Sequence, residues 1–365
     1  MSAAPALLDA TPLAGAHADR GIGTAMREVV AAFGRRPAAE RPRLLLRRGQ
    51  EAPAGFDVAE VDWPAWRFHR LPDPWPATRG ERAVRALAGD GVVHAVQPAL
   101  VPAGRTVVTC HDLIPLAYRP EYLGGAGRAP EAAAYRHFLA RLRGARLVLT
   151  PSRETADDAV RLAGVDPGRV RVVPWAAPAP VAPDGTVPEG AYVLYAGAIE
   201  PHKNAGLAVE AIALAPAGVR LVMTGPWSRR RAARLRGHAA RVGAEGRIDW
   251  EGLVTPGRLA ALRAGAVAVL VPSRKEGFGL PVLEAMDAGV PVLASDTPAL
   301  REVGGAAARY LPPADPVPWA RAIGELAEDA GVRAEMAAAG RRRAGDHSWD
   351  RTAAALADAY REAAA

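Results

Sequence analysis

Ala266-Val-Ala-Val-Leu-Val271, Glu276-Gly-Phe-Gly-Leu-Pro-Val-Leu-Glu284 and Pro291-Val-Leu-Ala294 follow one another closely, and together they decide the fold. The first run is short, apolar and uncharged, which predicts a buried strand. The second opens on a glycine-rich turn and continues as a helix through Ala285-Met286. The third is another short apolar run. A strand, a helix and a strand in so short a span make a crossover unit, and crossover units build parallel sheets. Such sheets bind ligands beyond the carboxyl ends of their strands, where Glu276 stands.

The same alternation runs outward in both directions. Upstream, strands are predicted at Pro5–Asp9, Leu44–Leu46, Val92–Val93, Thr106–Thr109, Leu147–Thr150 and Arg171–Pro174. Helices are predicted at Gly21–Phe33 and Arg153–Leu162. Residues 176–190 are proline-rich and without periodicity, which reads as an interdomain linker. Beyond them come strands at Tyr192–Tyr195, Val219–Thr224 and Ile248–Glu251, with helices at Leu207–Leu214, Arg229–Val242 and Arg258–Ala264. The expectation is an α/β protein of two Rossmann-like domains with parallel sheets facing across a cleft. The domains would span 1–180 and 181–346, and a terminal helix, 347–365, would pack back on the first.

The chain has 365 residues, half of them hydrophobic, enough for two cores. Its net charge of +7 favours anionic partners, but the arginines are dispersed without the aromatic interleaving of single-strand binders, so nucleic acid is not expected. One cysteine, Cys110, excludes an intramolecular disulfide and a cysteine-based zinc site. It ends an apolar run and reads as a core thiol, with its neighbour His111 keeping a nucleophilic role open. No signal peptide or membrane-length apolar run is visible. The expected location is cytoplasmic, with a peripheral contact to the inner membrane face left open.

Four motifs fall where strands end or helices begin. Asp19-Arg-Gly-Ile-Gly-Thr24 brings Gly21 and Gly23 to a helix start, where backbone N–H groups can approach an anion. It lacks the third glycine of a dinucleotide fingerprint, and it could equally be a plain helix start. His111-Asp-Leu-Ile-Pro115 places a histidine at a strand's carboxyl end, suited to a sugar hydroxyl or a proton relay. The competing reading is a loop histidine with Asp112 forming the turn. Gly197-Ala-Ile-Glu-Pro-His-Lys-Asn204 offers a compact cation at a glycine turn. Lys203 and Lys275 are the only two lysines in an arginine-rich chain, which hints that a point charge is required there.

The fourth motif is the carboxylate pair, Glu276 and Glu284. On one helix they would stand about 80° past two full turns, but Glu276 precedes the glycine turn and need not be helical. The first carboxylate can then enter the crevice from a loop while the second lies along the helix. The turn's N–H groups suit phosphate and the carboxylates suit hydroxyls, so the ligand would be a nucleotide sugar.

Together these motifs resemble family 4 of the retaining glycosyltransferases, which have the GT-B fold. The likeness also takes in Asp9-Ala-Thr-Pro12, Thr150-Pro-Ser152, Ser295-Asp296, Glu302-Val303 and Ser348-Trp349. It implies that Glu284 holds the donor's ribose hydroxyls and Glu276 the transferred sugar. Lys203 would neutralise the diphosphate, helped by backbone groups of Phe278, Gly279 and Leu280. Gly21 and Gly23 would approach the donor, His111 would lie near the anomeric carbon, and Leu253 and Val254 would lie near the base. Ala198 stands where many members carry an arginine. The His-Asp-Leu-Ile-Pro subset sharing that departure looks most like mannosyltransferases of polysaccharide assembly, which favours GDP-mannose.

The resemblance further implies transfer of a hexose with retention, to a glycan, lipid-linked or small-molecule acceptor. No cofactor or metal is expected, in keeping with the absence of an Asp-x-Asp motif. A nucleotide-sugar epimerase or hydrolase of the same fold, or a non-catalytic binder, are the competing readings.

Overall fold

The computed structural model describes residues 5–14, 21–62, 74–96, 104–124 and 129–365. The readings of Asp19 and Arg20 lie outside them. Contacts divide the chain into two compact units, Met1–Pro178 with Ser348–Ala365, and Ala179–His347.

The first unit is built on seven strands, β1 (Leu7–Asp9), β2 (Arg43–Arg47), β3 (Val58–Val61), β4 (Val93–Ala95), β5 (Thr106–Thr109), β6 (Leu147–Thr150) and β7 (Val170–Val172). They lie in the order β3-β2-β1-β4-β5-β6-β7, every pair parallel. Alternation along the strands feeds separate hydrophobic clusters. Leu8, Leu44, Leu46 and Val107 face a cluster with Val29, Val30 and Phe33 of the helix Gly21–Gly34. Leu7, Leu45, Val61 and Val93 face another with Val84 of the helix Pro74–Ala88.

The terminal helix Trp349–Ala364 belongs to the first unit. Its apolar face places Trp349, Leu356 and Tyr360 in the core with Phe33. Trp349 Nε1 donates to the Ala177 carbonyl at 2.7 Å, and Thr352 Oγ1 to that of Pro174 at 2.7 Å.

The second unit repeats the scheme with β8 (Tyr192–Ala196), β9 (Arg220–Thr224), β10 (Ile248–Gly252), β11 (Ala268–Val271), β12 (Val292–Ser295) and β13 (Arg309–Leu311). The order is β10-β9-β8-β11-β12-β13, again wholly parallel. Prolines mark its helix starts, at Pro256, Pro298 and Pro316, where a missing N–H costs nothing.

In each sheet the strand order reverses once, between β1 and β4 and between β8 and β11. That reversal opens a crevice at the carboxyl ends of the two strands. Among the described residues, no helix is long and apolar enough to cross a membrane.

Candidate active site

The second unit's crevice lies past Ala196 and Val271, and four of the sequence-selected side chains or turns gather near it. Gly197 follows β8, and its N–H bonds the Thr224 carbonyl at 2.9 Å. Its own carbonyl accepts from Trp227 Nε1 at 2.9 Å. Gly225, at the end of β9, comes so close to Gly197 that any Cβ would collide with its carbonyl.

The chain then turns through Pro201–Lys203 into Asn204, which has the left-handed φ of 54°. Asn204 Nδ2 donates to the carbonyls of Pro272 (3.1 Å) and Pro313 (2.8 Å). The end of the lysine turn is thereby fastened to the segment leaving β11. Arg274 N–H adds a bond of 2.7 Å to the His202 carbonyl.

This fastening sets Lys203 against Glu276. Nζ lies 2.7 and 2.8 Å from the two carboxylate oxygens, and Ser273 Oγ donates to Oε1 at 2.6 Å. The Glu276 side chain is 8% exposed and that of Lys203 24%. Burial opposes ionisation of Glu276, but the charge and hydrogen bonds of Lys203, the Ser273 bond and His202 outweigh it and hold the carboxyl below its usual range. His202 is pushed down to about 4, by burial first and then by Lys203, against an opposing pull from Glu276 that exceeds the small push of Arg231. It is therefore neutral at pH 7.

Glu276 lies outside the helix, which runs Leu280–Asp287. Gly279 caps it with φ 109°, and a Cβ there would meet Leu300 Cδ2 at 2.9 Å. Phe278 and Leu280 have buried side chains, and N–H groups of a first helical turn have no partner within the helix. Glu284 sits on the helix with Oε2 2.6 Å from Arg263 Nη2. Leu253 and Val254 follow β10, and Leu253 is 71% exposed.

In the first unit, His111 follows β5. Its Nε2 hydrogen-bonds the Val96 carbonyl at 2.8 Å, and its ring lies 5.5 Å from that of Trp175. Asp112 Oδ1 accepts from Ile114 N–H at 3.0 Å and so does form the turn. Gly21 and Gly23 occupy the first turn of their helix, Gly21 exposed and Gly23 buried. Cys110 is wholly buried and burial pushes its thiol up, so the nucleophilic option is withdrawn.

Several participants were not singled out from the sequence. Ser273 sits three residues before Glu276, a spacing that could have flagged it. Arg263 lies on the preceding helix, Pro256–Ala264, and no local pattern ties it to Glu284. Two buried polar groups lie on first-unit strands, Asp9 at the end of β1 and His94 within β4. Asp9 Oδ1 accepts from Thr11 N–H (3.1 Å) and Oγ1 (2.6 Å), and burial pushes the carboxyl up to about 6 against the pull of its hydrogen bonds. His94 shares hydrogen bonds with the Tyr360 hydroxyl (2.8 Å) and Thr109 (2.7 Å), and burial, then His111, pushes it down to about 3.

Among the described residues, no group of three or more His, Cys, Asp or Glu side chains is placed to hold a metal ion.

Comparison with known proteins matches each unit to a family model. Residues 21–176 match the model described as Glycosyltransferase Family 4, and residues 183–343 match Glycosyl transferases group 1. A D-inositol 3-phosphate glycosyltransferase of Xylanimonas cellulosilytica is 34% identical over 239 residues, 59% of this chain and 57% of the relative. An O-antigen chain mannosyltransferase B of Escherichia coli is 34% identical over 176 residues, 47% of this chain and 45% of the relative. The chain thus spans about half the length of the curated relatives it matches.

Sucrose-phosphate synthase from Thermosynechococcus elongatus superposes with a TM-score of 0.75 over 98% of both chains at 19% identity. An Anabaena protein, HepE, solved with UDP and glucose, superposes with a TM-score of 0.69 over 97% of this chain and 98% of its own at 16% identity. These likenesses show the fold. With family models covering both units, the chain belongs to glycosyltransferase family 4.

Proposed function

We propose that this protein is a glycosyltransferase that moves a hexose from a nucleoside-diphosphate sugar to a hydroxyl group of an acceptor. The observation that carries the reading is the second unit's crevice. It holds a lysine, a buried carboxylate, a helix N-terminus and a second carboxylate further along that helix. Lys203 and the first-turn N–H groups suit a diphosphate. Glu284 suits ribose hydroxyls, and Glu276 suits hydroxyls of the transferred sugar. Leu253 and Val254 would flank the base.

In the reaction the bond between the anomeric carbon and the diphosphate oxygen breaks as the acceptor oxygen bonds that carbon. The acceptor proton passes to the departing diphosphate, and configuration is retained. Lys203 and the helix-start dipoles stabilise the charge that develops on the leaving group. That cation makes a metal-independent mechanism the simpler one. Mannose from GDP-mannose is the favoured donor, supported by the mannosyltransferase relative, and a glycan, lipid-linked or small-molecule acceptor completes the reaction.

Incubation with UDP-glucose or GDP-mannose, with and without sugar and inositol-phosphate acceptors, tests this. Acceptor-dependent release of nucleoside diphosphate supports transfer. Epimerised or hydrolysed donor without acceptor, or binding without turnover, would replace it with one of the competing activities.

A further inference from the structure

The bonding capacity of Glu276 sets it apart from Glu284. Glu284 spends one oxygen on Arg263, which leaves the other open to a ligand hydroxyl. Glu276 spends both oxygens on Lys203 and one of them again on Ser273. The Lys203 ammonium in turn has no hydrogen-bond partner other than Glu276 among the described residues. The groups best suited to a diphosphate and to a sugar hydroxyl are thus tied to each other, in a setting where Glu276 is almost fully screened from water.

We propose that the site works by counter-ion exchange: an incoming nucleoside diphosphate competes with Glu276 for Lys203 and so frees the carboxylate to accept from a hydroxyl of the transferred sugar. The inference rests on the assignment of this crevice to a nucleoside-diphosphate sugar.

The physical basis is the restricted geometry of the ammonium group. A lysine ammonium has three donors, and two of them point at one carboxylate here. A diphosphate brings more negative charge and more acceptor oxygens than a carboxylate, so it can draw the ammonium across. Ser273 stays behind as the residual anchor that keeps Glu276 within the crevice while its other lone pairs become available. The exchange orders events: Glu276 becomes competent only when the diphosphate is in place.

The sign of one measurement separates exchange from a plain binding role. Titration calorimetry with UDP and with GDP, which lack the sugar, is run on the wild type and on Glu276→Gln. The amide keeps the shape but removes the competing charge, so the preferred diphosphate should bind about fivefold tighter or more. Turnover of the nucleotide sugar should fall in the same variant. Equal or weaker diphosphate binding by a folded Glu276→Gln overturns the exchange, whereas a wild type that binds neither nucleotide overturns the site assignment itself. Should Glu276→Gln fail to fold, Ser273→Ala serves, since it removes the anchor of the released carboxylate without touching either charge. The exchanged state then loses its last donor, so diphosphate should bind about two- to fivefold weaker, and unchanged or tighter binding there rejects the exchange.

Discussion

Glu284 offers a direct test of the donor assignment, because only one of its oxygens is committed. Oε2 lies 2.6 Å from Arg263 Nη2, and the two side chains are 20% and 15% exposed. A ribose hydroxyl donating to Oε1 would make a charge-assisted hydrogen bond, worth about 1.5–3 kcal/mol, or roughly 10- to 150-fold in affinity. The cleanest perturbation pairs a change in protein with a change in ligand. The wild type should bind UDP or GDP tighter than the matching 2′,3′-dideoxy nucleotide by about that factor. In Glu284→Ala the ribose-bearing nucleotide should weaken to the level of the dideoxy one, and discrimination should collapse to near unity.

The cycle matters because Glu284→Ala also strands Arg263, whose partly buried charge then lacks a partner. Any general damage of that kind weakens both nucleotides alike and cancels in the ratio. Calorimetry at fixed salt gives the four dissociation constants. A discrimination factor that survives in Glu284→Ala would refute the ribose role, whatever happens to overall affinity.

Asp9 is held near pKa 6, above its unfolded value of 3.8, so its ionisation costs stability that is present below pH 3.8 and lost as pH rises through 6. Asp9→Asn should therefore raise the first unit's Tm at pH 7.5, with the gain fading by pH 4; a gain independent of pH would contradict burial as the cause. Asn204→Ala removes two hydrogen bonds and leaves a side chain in a left-handed turn, at a cost of roughly 2–4 kcal/mol. Chemical denaturation should register that loss, and diphosphate affinity should drop with it because the lysine turn is released; unchanged affinity in the folded variant would detach the turn from the site. Transfer should persist after exhaustive chelation, and loss of activity restored by added Mg²⁺ or Mn²⁺ would reject the metal-independent step.

The elements legible in the sequence were those whose burial is periodic and local. The strands at Thr106–Thr109 and Leu147–Thr150 fall where their apolar runs lie, because a strand buried on both faces has no polar alternation to blur its ends. Two edge strands, β3 and β13, gave no such signal. β3 reads Val-Ala-Glu-Val with its glutamate exposed, and β13 is three residues long with only Leu311 buried. The helix Ala330–Gly345 buries little besides Ala337, Gly340 and Ala344, so small residues conceal its face. Arg258–Ala264 was expected to begin where charge and leucine appear, yet the helix starts at Pro256, capped by Thr255.

The sequence by itself determined the alternation of strand and helix, the glycine turns and the presence of two carboxylates, because each is written in neighbouring residues. It also placed Glu276 before the helix rather than on it, since Gly277 and Gly279 interrupt the pattern. Only the tertiary structure decided what those groups touch. Lys203 meets Glu276 across 73 positions of chain and Arg263 meets Glu284 across 21. The first pairing follows from β8 lying beside β11 at the point where the strand order reverses. Side-chain periodicity reports which face is buried; it carries no record of which strand becomes the neighbour. That choice alone turned a lysine and a glutamate into one tightly bonded pair.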